Sequence, residues 1–167
     1  MSNFEIRPPG SDEVRYVVQF IRELAEYERL SDECLITEDA LRTSLFADQP
    51  HAEARLAILD GVPIGFCLFF HNFSTFLGKP GLYLEDLYVQ PEYRNFGYGK
   101  LILKYLANLA LERGCGRFEW AVLDWNEPSI AFYRKIGAEP MHDWTVQRLT
   151  GDSLIQLAST NLGDSDV

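Results

Sequence analysis

Leu84-Glu-Asp-Leu-Tyr-Val-Gln-Pro-Glu-Tyr-Arg-Asn-Phe-Gly-Tyr-Gly-Lys100 is the stretch from which the fold can be read. Its first part continues an apolar run, Leu82–Val89, that reads as a β-strand carrying two carboxylates, Glu85 and Asp86. Gln90-Pro91-Glu92-Tyr93 breaks that strand, and Arg94-x-x-Gly97-x-Gly99 follows at once. From Tyr98 to Arg113 the apolar positions Ile102, Leu106 and Leu109/Ala110 keep helical spacing, and Gly114 is a natural stop. A tight glycine turn at a helix start aims unpaired backbone N–H groups and the positive helix end at one spot, which suits a pyrophosphate. The acidic pair upstream sets a proton acceptor beside that anion site. Strand, phosphate cradle and base together point to an enzyme with a nucleotide-like cofactor. The pattern is no Walker A loop, since Leu101 follows Lys100, and no dinucleotide fingerprint, since Ile102 stands at the third-glycine position. As a bare pattern it also describes a plain turn with a helix cap.

Working outward, Phe4–Arg7 reads as a short strand ended by Pro8-Pro9-Gly10. Ser11 is expected to cap a helix from Asp12 to Arg29, with Val14, Val17/Val18, Ile21 and Leu24/Ala25 on one stripe. Thr37 caps a shorter helix through Leu41 and Leu45. Ala54–Leu59, Asp60-Gly61 and Val62–Phe70 form a hairpin, because Asp-Gly suits a turn needing positive φ. Residues 71–80 are expected as an aromatic loop that, with Ser31–Leu35, shapes the mouth of a cleft. Phe118–Leu123 reads as a strand, and Asn126-Glu-Pro-Ser129 opens a helix that ends at Gly137. Thr145–Leu149 and Leu154–Leu157 are expected as closing strands, before a polar, loose tail from Ser159. Helices and strands interleave, so the class is α/β or α+β around one mixed sheet. A single domain is expected over 1–158, with 159–167 as a flexible tail.

The 167 residues are 47% hydrophobic and 13% aromatic, a composition for one core and not for a disordered chain. A net charge of −10 argues against nucleic acid or an anionic membrane surface as partner and favours a cationic substrate. The same acidity also serves solubility. Cys34, Cys67 and Cys115 form no C-x-x-C pair and read as reduced structural thiols of a cytoplasmic protein. His51, His71 and His142 lack zinc-like spacing, so no metal site is expected. No signal core and no membrane span stand out.

Leu24-Ala-Glu-Tyr-Glu28, Leu82-Tyr-Leu-Glu-Asp-Leu-Tyr-Val89, Tyr93-Arg-Asn-Phe-Gly-Tyr-Gly99 and Trp125-Asn-Glu-Pro-Ser-Ile-Ala-Phe-Tyr133 give the chain a family likeness. It resembles the GNAT superfamily of N-acetyltransferases, whose signature is [R/Q]-x-x-G-x-[G/A]. More narrowly it is similar to the spermidine/spermine (diamine) acetyltransferase branch. The resemblance spans the chain to about residue 158. It implies a mixed, mostly antiparallel sheet with flanking helices, whose strands splay apart at an acetyl-CoA site. It implies that Leu87, Tyr88 and Val89 pair with the pantetheine arm, and that Arg94, Asn95, Phe96, Gly97, Tyr98, Gly99 and Lys100 hold the pyrophosphate. Asn126 and Ser129 would touch the cofactor arm, and Tyr133 would protonate the departing sulfur. Glu85 would handle the substrate amine. Tyr27, Glu28, Asp86 and the Glu119-Trp120-Ala121 stretch would contact a small cationic substrate, a diamine or polyamine. A homodimer is implied as well.

The chemistry is coherent with those roles. An alkylammonium with a pKa of ~10.4 must shed a proton before attack, at a cost of roughly 4–5 kcal/mol at neutral pH. A carboxylate nearby gives that proton a route, and a tyrosine hydroxyl stays protonated and able to donate to a thiolate. Direct transfer in a ternary complex then needs mainly positioning. Because adjacent strand residues face opposite sides, Glu85 is expected toward the cleft, with Asp86 a structural or substrate contact. Ile136 stands where polyamine-acetylating relatives carry a basic residue, and Glu119-Trp120-Ala121 also departs from their pattern. A lysine-like amino acid such as thialysine, or a peptide N-terminus, is therefore an alternative acceptor, and a non-catalytic acyl-CoA-binding module is the non-enzyme alternative.

Overall fold

The computed structural model describes residues 2–160. The chain divides into two compact units, Met1–Asp124 and Trp125–Val167. In the first unit five strands form one sheet in the order β1-β2-β3-β4-β5: Phe4–Arg7, Glu53–Leu59, Val62–Ser74, Lys79–Val89 and Arg117–Trp120. The first three pairings are antiparallel and β4 with β5 is parallel. Helices α1 (Val14–Glu28), α2 (Glu38–Phe46) and α3 (Tyr98–Glu112) flank it. This is the mixed, mostly antiparallel architecture expected from the sequence.

Alternation along β2 sorts the two faces. Leu56 and Ile58 join Val14, Val17, Val18 and Phe20 of α1, Leu41 of α2, Phe66 and Tyr88 in one buried cluster. Full burial of an aliphatic or aromatic side chain contributes about 1.5–3 kcal/mol, so this layer carries much of the fold. Arg55, pointing the other way, donates through Nε to the Tyr105 hydroxyl on α3 at 2.9 Å. Glu53 receives both Arg55 and Arg113, which hold its carboxyl down at about 2 and tie β2 to the end of α3.

Several local expectations hold. Thr37 Oγ1 accepts from the Ala40 N–H at 3.2 Å. Asp60 (φ 50°) and Gly61 (φ 83°) both take positive φ in the β2–β3 hairpin. Gly114 (φ 69°) ends the turn after α3.

Others are corrected. Ser11 does not cap the first long helix: Ser11–Glu13 is a separate 3-10 turn. Glu13 is the residue that organises it, accepting from the Gly10 N–H at 2.8 Å and from Arg7 at 2.7 and 2.8 Å. The helix stops at Glu28, and Arg29 takes left-handed φ (62°) with the Leu30 N–H bonded to the Ala25 carbonyl at 2.8 Å. Residues 71–80 are not a loop. The strands run on to Ser74 and from Lys79, and Gly78 (φ 61°) makes a short hairpin turn between them. Strand β5 ends at Trp120, short of the expected Leu123, for a reason found on β4.

The second unit carries α4 (Glu127–Lys135) and α5 (Gly151–Ser159). Neither expected closing strand is present: 145–149 lies outside regular structure, and 154–157 sits inside α5. Leu154, Leu157 and Ala158 fit helical as well as extended spacing, and a short apolar run does not distinguish the two. Residues 161–167, the larger part of the expected loose tail, lie outside the described residues.

Candidate active site

The site is built around β4. Its last pair with β5 is Leu84 with Trp120. On the other edge the register against β3 slips at the same place, with Leu68 opposite Asp86 but Phe69 opposite Leu84, leaving Glu85 as the extra residue of a bulge. A bulge bends the strand and re-aims side chains. Beyond it, Leu87, Tyr88 and Val89 stay paired to β3 while their other edge has left β5. That opening leaves a strand edge of Leu87–Val89 that is not paired to β5.

The chain then passes through a 3-10 turn, Pro91–Tyr93, into the bend. Asn95 (φ 67°) and Gly97 (φ 90°) both take left-handed φ. The first helical bond of α3 is from the Leu101 N–H to the Gly97 carbonyl (3.0 Å), so the N–H groups of Tyr98, Gly99 and Lys100 in the first turn have no partner within the helix. Successive unpaired N–H groups at a positive helix end form an anion site. Gly99 is helical, and a Cβ there would meet Leu87 Cδ2 at an ordinary 3.9 Å. Phe96 and Lys100 are exposed, while Tyr98 packs against Phe4 with ring centres 4.8 Å apart.

Next to the bulge lies a pocket of about 170 Å³. Ile21, Leu24, Ala25 and Leu30 supply apolar wall, and Glu28, Glu33 and Asp86 supply carboxylates. Burial, with Glu85 and Glu28 adding like charge, pushes Asp86 up to about 6. Burial also raises Glu28. Among the described residues no hydrogen bond or ion pair reaches the carboxylate of Asp86 or Glu28. Half-buried carboxylates without a cation are costly, so the pocket is suited to accept one. Glu85 itself is exposed.

Of the other expected substrate contacts, Glu119 is engaged elsewhere, with Arg117 (2.7 Å) and Asn72 (3.0 Å). Trp120 packs on Phe118, and Ala121 is exposed just past β5. None of these three, nor the 71–80 hairpin, lines the pocket. Tyr27, beside Glu28, faces Arg94, whose guanidinium carbon lies 4.9 Å from its ring centre. Arg94 Nε also donates to the Val89 carbonyl at 2.8 Å.

Within the second unit, Asn126 is buried and caps α4, accepting from the Ser129 N–H at 3.4 Å, with Pro128 in the first turn. Gly137 (φ 89°) follows the helix end. Tyr133 is half-buried on α4, its ring centre 5.6 Å from that of Phe132.

The model of the Acetyltransferase (GNAT) family matches residues 18–138. The chain belongs to the GNAT acetyltransferase family. Thialysine N-epsilon-acetyltransferase of Sus scrofa is 37% identical to this acetyltransferase, over 95% of the chain and 99% of the relative. L-ornithine N5-acetyltransferase of Arabidopsis thaliana is 30% identical, over 94% of the chain and 89% of the relative. Among solved structures, an integron cassette protein from the mobile metagenome of V. cholerae superposes with a TM-score of 0.79 at 25% identity, over 94% of the chain and 98% of that protein. The chain is thus a GNAT N-acetyltransferase, and the family's acyl donor is acetyl-CoA. The acetyltransferase has no described helix long and apolar enough to cross a membrane.

Sequence reasoning missed some of what shapes this acetyltransferase's site. It named Ser31–Leu35 as a segment but not Glu33 and Cys34, which line the pocket. The signal was present: helix positions Ile21, Leu24, Ala25 and Glu28 share one face by i, i+3, i+4 spacing. The segment after Glu28 had to turn past that face. The bulge at Glu85 left no such signal, because it arises from pairing with β3.

Proposed function

We propose that this GNAT enzyme acetylates the primary amine of a small aliphatic substrate that bears positive charge, a diamine or polyamine. The supporting observation is the apolar-walled pocket in which, among the described residues, Glu28 and Asp86 meet no protein cation. A methylene chain fits the Ile21, Leu24 and Leu30 wall, and an ammonium fits the carboxylates. Acetyl-CoA, when bound, supplies an acetyl thioester as acyl donor. The N–H groups from Asn95 to Lys100 hold its diphosphate, and the free edge of Leu87–Val89 aligns its arm. Asn126 and Ser129 add contacts to that arm. Glu85, at the bulge between the amine pocket and the parted strands, takes the proton from the amine directly or through water. The amine nitrogen then forms the new bond to the acetyl carbon as the carbon–sulfur bond breaks. Tyr133 donates its hydroxyl proton to the sulfur, and the second proton, which the nitrogen sheds on becoming an amide, returns through water to the tyrosinate.

A second reading, a lysine-like amino acid as acceptor, is favoured by the names of the relatives that act on thialysine and ornithine. Both readings place a side-chain or terminal alkylamine in the same pocket. They differ in whether a carboxylate is tolerated next to Glu28, Glu33 and Asp86. We take the domain as one unit of function over 1–158, acting in the cytoplasm as a homodimer. The free cysteines support the compartment and the family resemblance supports the dimer, which sedimentation equilibrium would show as twice 19.1 kDa.

The test is a thiol-release assay with acetyl-CoA and a panel of spermidine, 1,3-diaminopropane, ornithine, thialysine and an N-terminal peptide. Diamines are expected to be the best substrates. Glu85→Gln and Tyr133→Phe should each lower kcat by about 10²-fold with little change in coenzyme A binding, the usual size of a lost acid or base. Turnover of α-amino acids alone would replace the first reading by the second. Unchanged kcat in Tyr133→Phe would remove the general acid.

A further inference from the structure

Arg94 opens the motif that folds the coenzyme bend, and its sequence position places it with the phosphate-binding residues. Its side chain is occupied otherwise. Nε donates to the Val89 carbonyl at 2.8 Å, fastening the start of the bend to the end of β4. The guanidinium carbon lies 4.9 Å from the ring centre of Tyr27 and 5.3 Å from that of Tyr88, both within cation–π range. These contacts orient the half-buried guanidinium toward two aromatic rings and a main-chain carbonyl, all of them protein groups. We propose that Arg94 is a positioning residue for the amine site, acting through Tyr27, and not a ligand of the coenzyme's phosphates.

The contact belongs to a seam. Glu23 and Tyr27 are four residues apart on α1 and share a face. Gln90 and Arg94, likewise four apart, meet that face. Gln90 Nε2 lies 3.3 Å from each carboxylate oxygen of Glu23, which also receives Gln19 at 2.7 Å. The last turns of α1 are therefore pinned to the β4–α3 connection at two points. Just past the second point come Glu28, then Arg29 with its left-handed φ of 62°, then Leu30 and Glu33. Glu28, Leu30 and Glu33 line the amine pocket. Loss of the ring contacts frees the helix end that carries one side of that pocket, whereas Arg94→Gln still has an N–H to offer the Val89 carbonyl and so keeps the start of the bend fastened. The amine should feel the loss more than the coenzyme does.

The inference rests on the reading of the bend as the coenzyme site and of the Glu28/Asp86 pocket as the amine site. The experiment compares wild type with Arg94→Gln, Arg94→Lys, Tyr27→Leu and the Arg94→Gln/Tyr27→Leu double variant. Coenzyme A affinity is measured by direct titration, and KM and kcat by turnover of spermidine and ornithine at saturating acetyl-CoA. Arg94→Gln is expected to leave the coenzyme A Kd within about threefold while raising the amine KM about tenfold, with a smaller change in kcat. Arg94→Lys, which keeps a cation against the rings, should recover part of the loss. Tyr27→Leu should reproduce the amine defect, and the double variant should add little to it, as for residues acting through one contact. A coenzyme A Kd weakened by more than the amine KM, or single effects that multiply in the double variant, would overturn the proposal. If wild type binds coenzyme A but turns over neither amine, the amine-site reading fails and takes the proposed role with it. If wild type does not bind coenzyme A, the reading of the bend fails first.

Discussion

Asp86 sits where function and stability pull against each other. Burial and the like charges of Glu85 and Glu28 raise its carboxyl from an ordinary 3.8 to about 6. Below pH ~4 the group is protonated whether the chain is folded or not, and it contributes nothing to the pH dependence. Between ~4 and ~6 the native state holds the proton that the unfolded chain has lost, so stability falls as pH rises. Above ~6 both states are ionised and the native state bears the whole cost, about 3 kcal/mol for a shift from 3.8 to about 6. Asp86→Asn is therefore expected to stabilise the protein by roughly 1–3 kcal/mol at pH 8 and to be nearly neutral at pH 3.5. Urea unfolding at the two pH values measures it. The same variant should weaken amine binding, and wild-type amine KM should rise as pH drops through 6, where the pocket loses charge. A stability gain equal at both pH values would mean that Asp86 is not the strained carboxylate described here.

At the scale of the element, the β4–bend–α3 unit divides the glycines of the motif by what each does. Gly97 takes φ 90° at the helix cap, and a side chain there is strained whatever the space around it. Gly99 is helical and open enough for a methyl group. Gly97→Ala is expected to cost about 1–2 kcal/mol and to weaken coenzyme A binding, while Gly99→Ala should fold as well as wild type or gain up to ~1 kcal/mol. Thermal unfolding with a coenzyme A titration separates them, and equal effects of the two would contradict the conformations seen. This unit is also where sequence reading went furthest. Strand, breaker, glycine bend and helix follow in order, and Thr37, Asp60-Gly61, Asn126 and Gly114 act through bonds or backbone angles local to themselves. What the sequence hid is non-local. The bulge at Glu85 exists only because Leu68 and Phe69 of β3 pair as they do, and β5 stops at Trp120 where β4 bends. The adjacent acids Glu85 and Asp86 therefore cannot be assigned to opposite faces by simple alternation. Leu154–Leu157 went wrong for the converse reason: four residues hold too little periodicity to choose between strand and helix.

At the scale of the whole molecule, 25 acidic against 15 basic residues give a net charge of −10. That excess has been open to two explanations, solubility or attraction of a cationic substrate, and salt distinguishes them. Exposed charges act over about a Debye length, some ~10 Å at 0.1 M, so added salt removes the long-range pull and leaves the short contacts with Glu28 and Asp86 largely intact. If the field gathers substrate, kcat/KM for spermidine should fall about three- to tenfold between roughly 20 and 200 mM NaCl, with kcat unchanged. Ornithine, with lower net charge, should fall less over the same range. The acyl donor carries phosphates and meets the same field with opposite sign. Its kcat/KM should hold or rise with salt, the more so because the bend offers it backbone dipoles and Arg94 is committed to Val89, Tyr27 and Tyr88. Opposite salt slopes for amine and acyl donor would tie the acidity to the reaction. Parallel slopes would leave solubility as its only role, with selection of the amine resting on the pocket alone.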